Sequence, residues 1–172
     1  MKKWFTDLIG TPIILRRTPF KIGRLLEMVV NPDDGSLVAV LTTGRKAIAP
    51  MDLGPFERGV FTVREADVLI KPDELVRLET IPKAKRRLLG KHVITKSGQR
   101  LGRVYDLAFD MDTFSLIQLL ASRKFLIFWT LQKRILSFQD IIEITEEAVV
   151  VKDSCAAQRI RVKKLAKSEA QA

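Results

Sequence analysis

Leu101-Gly102-Arg103-Val104-Tyr105-Asp106-Leu107-Ala108-Phe109-Asp110-Met111-Asp112-Thr113-Phe114-Ser115-Leu116 has a twin 79 residues upstream, from Ile22-Gly23-Arg24 through Asn31-Pro32-Asp33 to Ser36-Leu37. The match runs outward in both directions. Ile9-Gly10 answers Leu89-Gly90, and Gly59-Val60-Phe61-Thr62-Val63 answers Glu147-Ala148-Val149-Val150-Val151. The chain is therefore read as one structural sentence written twice.

Each copy has the signature of β structure. Thr11–Leu15 and Lys91–Thr95 are short apolar strand candidates, followed by turns at Thr18-Pro19-Phe20-Lys21 and Ser97-Gly98-Gln99-Arg100. A longer strand, Ile22–Val30 or Leu101–Phe109, leads into turns rich in Asn and Asp, whose side chains cap their own backbone. Further strands are expected at Leu37–Thr42, Ala47–Ala49 and Val60–Val63, and at Leu116–Ala121, Arg134–Leu136 and Ala148–Val151. Glycines near the start of both long strands, Gly23 and Gly102, suggest bends of the kind a small closing sheet needs. The expectation is an all-β fold of two tandem small antiparallel β-barrels, residues 1–70 and 88–152. A short helical connector over 71–87 joins them, and a basic helical tail over 153–172 ends the chain.

Charge separates the halves. Residues 1–78 hold 12 Lys and Arg against 10 Asp and Glu; residues 79–172 hold 18 against 10. Such an excess points to a polyanionic partner, against the plainer reading of solubility. The single Cys155 closes no intramolecular disulfide, and with the single His92 it makes no zinc site. Met1–Gly10 lacks the apolar core of a signal peptide, and no run of transmembrane length occurs. A cytoplasmic protein is expected, with peripheral attachment at the inner face of the membrane as the variant in which it meets lipid.

The chain resembles the PRC-barrel family over most of its length, as two tandem copies, and most clearly in the second: in Leu88-Leu89-Gly90-Lys91-His92-Val93-Ile94-Thr95, in Ser97-Gly98-Gln99-Arg100-Leu101-Gly102-Arg103-Val104-Tyr105-Asp106, and in the Asp-rich turn that follows. The family's Ile-Pro-Trp-like segment has counterparts in Ile48-Ala49-Pro50-Met51 and Ile135-Leu136-Ser137-Phe138. Phe114 stands where a turn glycine is usual, and Ser137 where proline is. The family includes a domain of the ribosome maturation factor and the cytoplasmic part of the photosynthetic reaction-centre H subunit. The resemblance implies an adaptor or assembly factor rather than a catalyst; fold alone assigns no task.

The residues agree in offering little to catalysis. His92 and Cys155 stand alone, Asp110 and Asp112 read as turn caps, and no phosphate-cradling glycine loop occurs. No catalytic residue, metal site, cofactor or small-molecule substrate is expected. Two features rise above the scaffold. Residues 80–105 carry Lys83, Lys85, Arg86, Arg87, Lys91, Lys96, Arg100 and Arg103 with no acid, a candidate polyanion site. The alternative is a solvated connector that happens to be basic. Second, eight extra residues enter the second copy within Ser122–Arg134, opposite the plain Thr43-Gly44-Arg45. There Arg123, Lys124, Phe125, Leu126, Ile127, Phe128, Trp129, Lys133 and Arg134 set apolar rings between cations, a candidate contact for a protein partner or an anionic membrane surface. A segment folded back into the core is the third reading. The expected function is a non-catalytic adaptor contacting a protein or membrane through the second copy. The alternative is a ribosome- or RNA-associated assembly factor using the basic run over 83–103.

Overall fold

The computed structural model describes residues 1–18, 20–124 and 131–157, with backbone alone at Lys124 and Leu131. The first unit contains β1 (Lys2–Trp4), α1 (Phe5–Leu8), β2 (Pro12–Leu15), β3 (Lys21–Val30), β4 (Leu37–Thr42), β5 (Lys46–Ile48) and β6 (Phe61–Val63). The connector carries α2 (Val76–Glu79) and α3 (Lys83–Arg86). The second unit contains β7 (His92–Thr95), β8 (Arg100–Asp110), β9 (Ser115–Lys124), β10 (Leu131–Ser137), β11 (Ile141–Ile144) and β12 (Ala148–Val151). The chain is mainly β, as its alternating apolar runs and turn residues require. Of the expected tail helix, Asp153–Ala157 forms a 3-10 turn and the rest lies outside the described residues.

Both sheets follow one plan. Their strand orders are β5-β4-β3-β2-β6 and β10-β9-β8-β7-β12-β11. Two expectations need correction. The sheets are not purely antiparallel, because β2 pairs β6 and β7 pairs β12 in parallel. Nor does either sheet close into a barrel among the described residues. The corner explains why. The chain leaves β10 through a 3-10 turn, Phe138–Asp140, and enters β11 at once. The two sheet edges are thus linked end to end by a bend, not side by side by a hydrogen-bonded ladder. Pro50–Asp52 makes the same bend in the first unit, where a single bridge, Leu53 to Val63, stands for β11.

The likeness of the units extends to their irregularities. The β3–β4 pairing shifts between Leu25 and Glu27 and again between Val29 and Val30; β8–β9 shifts between Val104 and Asp106 and between Ala108 and Phe109. Each shift admits one extra residue, so Leu26 and Tyr105 bulge outward at the same place in the repeat, 47% and 57% exposed.

The units meet through equivalent turns. The Leu37 N–H donates to the Phe114 carbonyl at 2.9 Å, and the Leu116 N–H donates to the Gly35 carbonyl at 2.8 Å. Since Leu37 corresponds to Leu116 and Gly35 to Phe114, the contact is its own mirror under a local two-fold relation, as in an isologous dimer. Both turn residues sit in the left-handed region, Gly35 at φ 73° and Phe114 at φ 50°. A Cβ on Gly35 would lie 3.0 Å from the Phe138 ring.

The arms that precede the units are exchanged. β1 pairs with β8, and Thr6 bonds Asp106, so the first unit's arm covers the second unit. The connector returns the favour: Leu78 and Ile81 pack on Val29, Val38 and Ala39 of the first sheet. Burying two such side chains contributes about 1.5–3 kcal/mol each. The main apolar cluster is continuous across both units, joining Ile13, Leu25 and Phe61 with Val93, Phe109 and Val149.

Candidate functional site

Cross-strand neighbours share a sheet face. His92 of β7 pairs Arg103 of β8, Arg103 pairs Ser122 of β9, and Ser122 pairs Lys133 of β10. These four side chains therefore form one row across four strands. Two features hold the row. Gly102, at φ 139°, lets β8 approach β9 so closely that a Cβ there would lie 2.4 Å from the Ser122 carbonyl oxygen. The bulge at Tyr105 then turns that ring outward, with the Lys133 ammonium 5.4 Å from its centroid.

Backbone carbonyls fix the guanidinium groups at the rim. Arg103 donates to the Gly90 carbonyl at 3.4 Å, and Arg123 to the Arg100 carbonyl at 3.2 Å. Between them lies an open depression of about 690 Å³ that His92, Arg100, Tyr105 and Ser122 also line. It sets cationic donors around one exposed ring.

The basic run does not stay together. Arg100 and Arg103 reach this face. Lys91 is instead 7% exposed, and its ammonium donates to the carbonyls of Ala84, Thr145 and Glu146. Burial holds its pKa below the usual lysine range, against the pull of Glu146. Its charge ties α3 to the turn before β12. Arg86 donates to the Ile81 carbonyl and pairs with Glu79 at 3.2 Å. Lys85 lines a separate groove beside Asn31–Ser36, Arg87 faces Glu27, and Lys83 and Lys96 are exposed elsewhere. Of the inserted segment, Arg123 and Lys133 join the face. Arg134 is instead 2% exposed and donates to the Leu101 carbonyl at 3.2 Å. The Lys124 side chain and Phe125, Leu126, Ile127, Phe128 and Trp129 lie outside the described residues.

Sequence reasoning missed His92, Tyr105 and Ser122 as members of this face. A signal was available: a hairpin centred on Ser97-Gly98 pairs residue 92 with 103. The other residues weighed for chemistry have structural duties. Asp110 accepts the Asp112 N–H at 3.0 Å and, with Asp112, meets the Met1 ammonium. Cys155 is fully buried, which pushes its thiol pKa up and away from a reactive thiolate. Among the described residues, no group of three or more His, Cys, Asp or Glu is placed to hold a metal ion. No described helix is long and apolar enough to cross a membrane.

No curated protein matches the chain. The family comparison falls on the part of the chain that carries the basic face, from α3 through β12: residues 83–154 match the PRC-barrel domain.

Proposed function

We propose that this protein is a non-catalytic adaptor of two PRC-type units, whose second unit holds an acidic surface of a protein partner. The observation that carries this reading is the row His92–Arg103–Ser122–Lys133 with Tyr105 beside it. Charge complementarity steers encounter and specifies the partner, and an exposed Tyr with Arg around it is the composition of a contact hot spot. The PRC-barrel domain beneath it supports a binding rather than a catalytic task. The corresponding positions of the first unit are Pro12, Arg24, Thr43 and the turn residue Arg45, since Lys46 pairs with Thr42; with Pro12 in place of His92 and Leu26 in place of Tyr105, the second unit is the better contact. The cytoplasm suits a chain with one cysteine, buried as a thiol.

The test measures fluorescence anisotropy of a labelled poly-glutamate peptide with the full chain. A single-stranded RNA and phosphatidylglycerol vesicles serve as competitors. Peptide binding that weakens with salt and falls about tenfold in Arg103→Glu/Lys133→Glu is the expected result. Binding unchanged by both substitutions would remove the face from the reading. RNA displacing the peptide, with a salt slope that drops in the double variant, would transfer the face to the RNA-associated alternative. Displacement by vesicles would transfer it to a membrane surface.

A further inference from the structure

The two parallel strand pairs, β2–β6 and β7–β12, end at equivalent points. One further bond prolongs each pair: the Arg16 N–H donates to the Val63 carbonyl at 2.8 Å, and the Lys96 N–H to the Val151 carbonyl at 2.9 Å. In the second unit the residues just beyond are Ser97, Lys152 and Asp153. The Asp153 carboxylate accepts the Ser97 N–H at 2.9 Å. Ser97, through its N–H and its hydroxyl, holds that carboxyl below the usual carboxylate range. Lys152 is engaged by Asp140 at 3.2 Å and by the Gln139 carbonyl at 3.0 Å. In the second unit the notch thus has its Ser97 donor taken by the chain's own Asp153 and its Lys152 paired with Asp140.

In the first unit the counterparts are Arg16, Arg17, Arg64 and Glu65, which line a depression of about 440 Å³. Here the notch is not filled from within. Arg16, Arg17 and Arg64 are exposed, and among the described residues none of them forms an ion pair. The Arg17 N–H, the counterpart of the Ser97 donor, meets no acceptor among the described residues. Three guanidinium groups against one carboxylate leave two positive charges in excess, the match for a dianion. The guanidinium fork fits phosphate oxygens two at a time, which an ammonium does not.

We infer that Arg16, Arg17 and Arg64 form a receptor for a phosphate monoester group, with the Arg17 N–H as the backbone donor that Ser97 supplies to Asp153 in the second unit. The site is separate from the basic face of the second unit and stands or falls independently of it.

The test follows the backbone amides of Arg17 and Arg64 in the full chain by heteronuclear NMR. The chain is titrated with inorganic phosphate and, in a second arm, with a phosphoserine peptide. The expected result is a saturable shift at Arg17, weakened about tenfold or more in Arg64→Gln and unchanged in Arg103→Gln. Tighter binding of the peptide would mark a phosphorylated protein as the source of the group; equal or weaker binding would mark a small phosphorylated molecule. Shifts that never saturate, or saturation that Arg64→Gln leaves unchanged, would overturn the proposal.

Discussion

The two units share one strand order, the same two bulges and the same left-handed turn, yet they place charge differently. Between β4 and β5 the first unit spends three residues, Thr43–Arg45, whereas β9 and β10 run on and pair as far as Lys124 and Leu131. That extension sets Arg123 in the depression with Arg100 and Arg103, and Lys133 over the Tyr105 ring, and makes the broad cationic face. The first unit lacks the extension, but it leaves three arginines open at the end of β2 and β6, where the second unit binds its own Asp153. Features common to both copies build the scaffold. Features present in only one copy are where recognition is to be sought.

The largest expected break in the comparison is at the paired glycines. Gly102 has φ 139° and a Cβ there would meet the Ser122 carbonyl oxygen at 2.4 Å, while a Cβ on Gly23 would meet the Thr43 hydroxyl at an ordinary 3.5 Å. Gly102→Ala is expected to cost about 3 kcal/mol or more, since it combines strained backbone with a clash against main chain. Gly23→Ala is expected to stay within about 1 kcal/mol of the parent. Urea denaturation of both variants measures this directly. Equal costs would mean that the close approach of β8 to β9 is not built in.

The second contrast lies in the exchanged arms. Asp106 is 4% exposed and accepts from the Thr6 N–H at 3.2 Å, the Thr6 hydroxyl at 2.6 Å and the Leu107 N–H at 2.8 Å. Asp106→Ala leaves those donors unmet and should cost about 2–3 kcal/mol. It should also speed hydrogen exchange over residues 2–8, the arm that Asp106 holds. A stability loss without faster exchange there would separate Asp106 from the arm.

Much of the scaffold was legible because it repeats. A period of 79 residues with strand-like patterning announces two equivalent units, and turn residues such as Asn31-Pro32-Asp33 place the hairpins. The open sheets were not legible, because closure depends on where a corner sends the next strand, and Phe138–Asp140 looks like any short turn in sequence. That the basic run divides among several places was not legible for a related reason. Lys91 and Arg103 look alike in a list of cations, but pairing register and α3 bury one and expose the other. The face itself is a cross-strand property, made of residues from four strands, and no linear window contains it. The unfilled notch at Arg16, Arg17 and Arg64 became visible only by comparing it with its filled counterpart.

The smallest expected effect concerns Glu27, which occupies the place of Asp106 in the first unit. Glu27 is half-buried on the face that the connector covers, and burial raises its pKa above the ordinary glutamate value while Arg87 pulls the other way. A raised pKa means that the folded chain binds this proton more tightly than the unfolded chain. Between the ordinary glutamate value, about 4.3, and the raised one, the folded state carries more protons, so this residue's contribution to stability declines as pH rises through that window. Below the window the contribution is fully present. Glu27→Gln removes the ionisation and keeps the shape. The variant should lose that part of the pH dependence and match or slightly exceed the parent at neutral pH, as urea midpoints across a pH series would record. An unchanged pH profile would show that Arg87 offsets the burial of Glu27 in full. The charge would then be as well accommodated under the connector as the Asp106 carboxylate is under the arm.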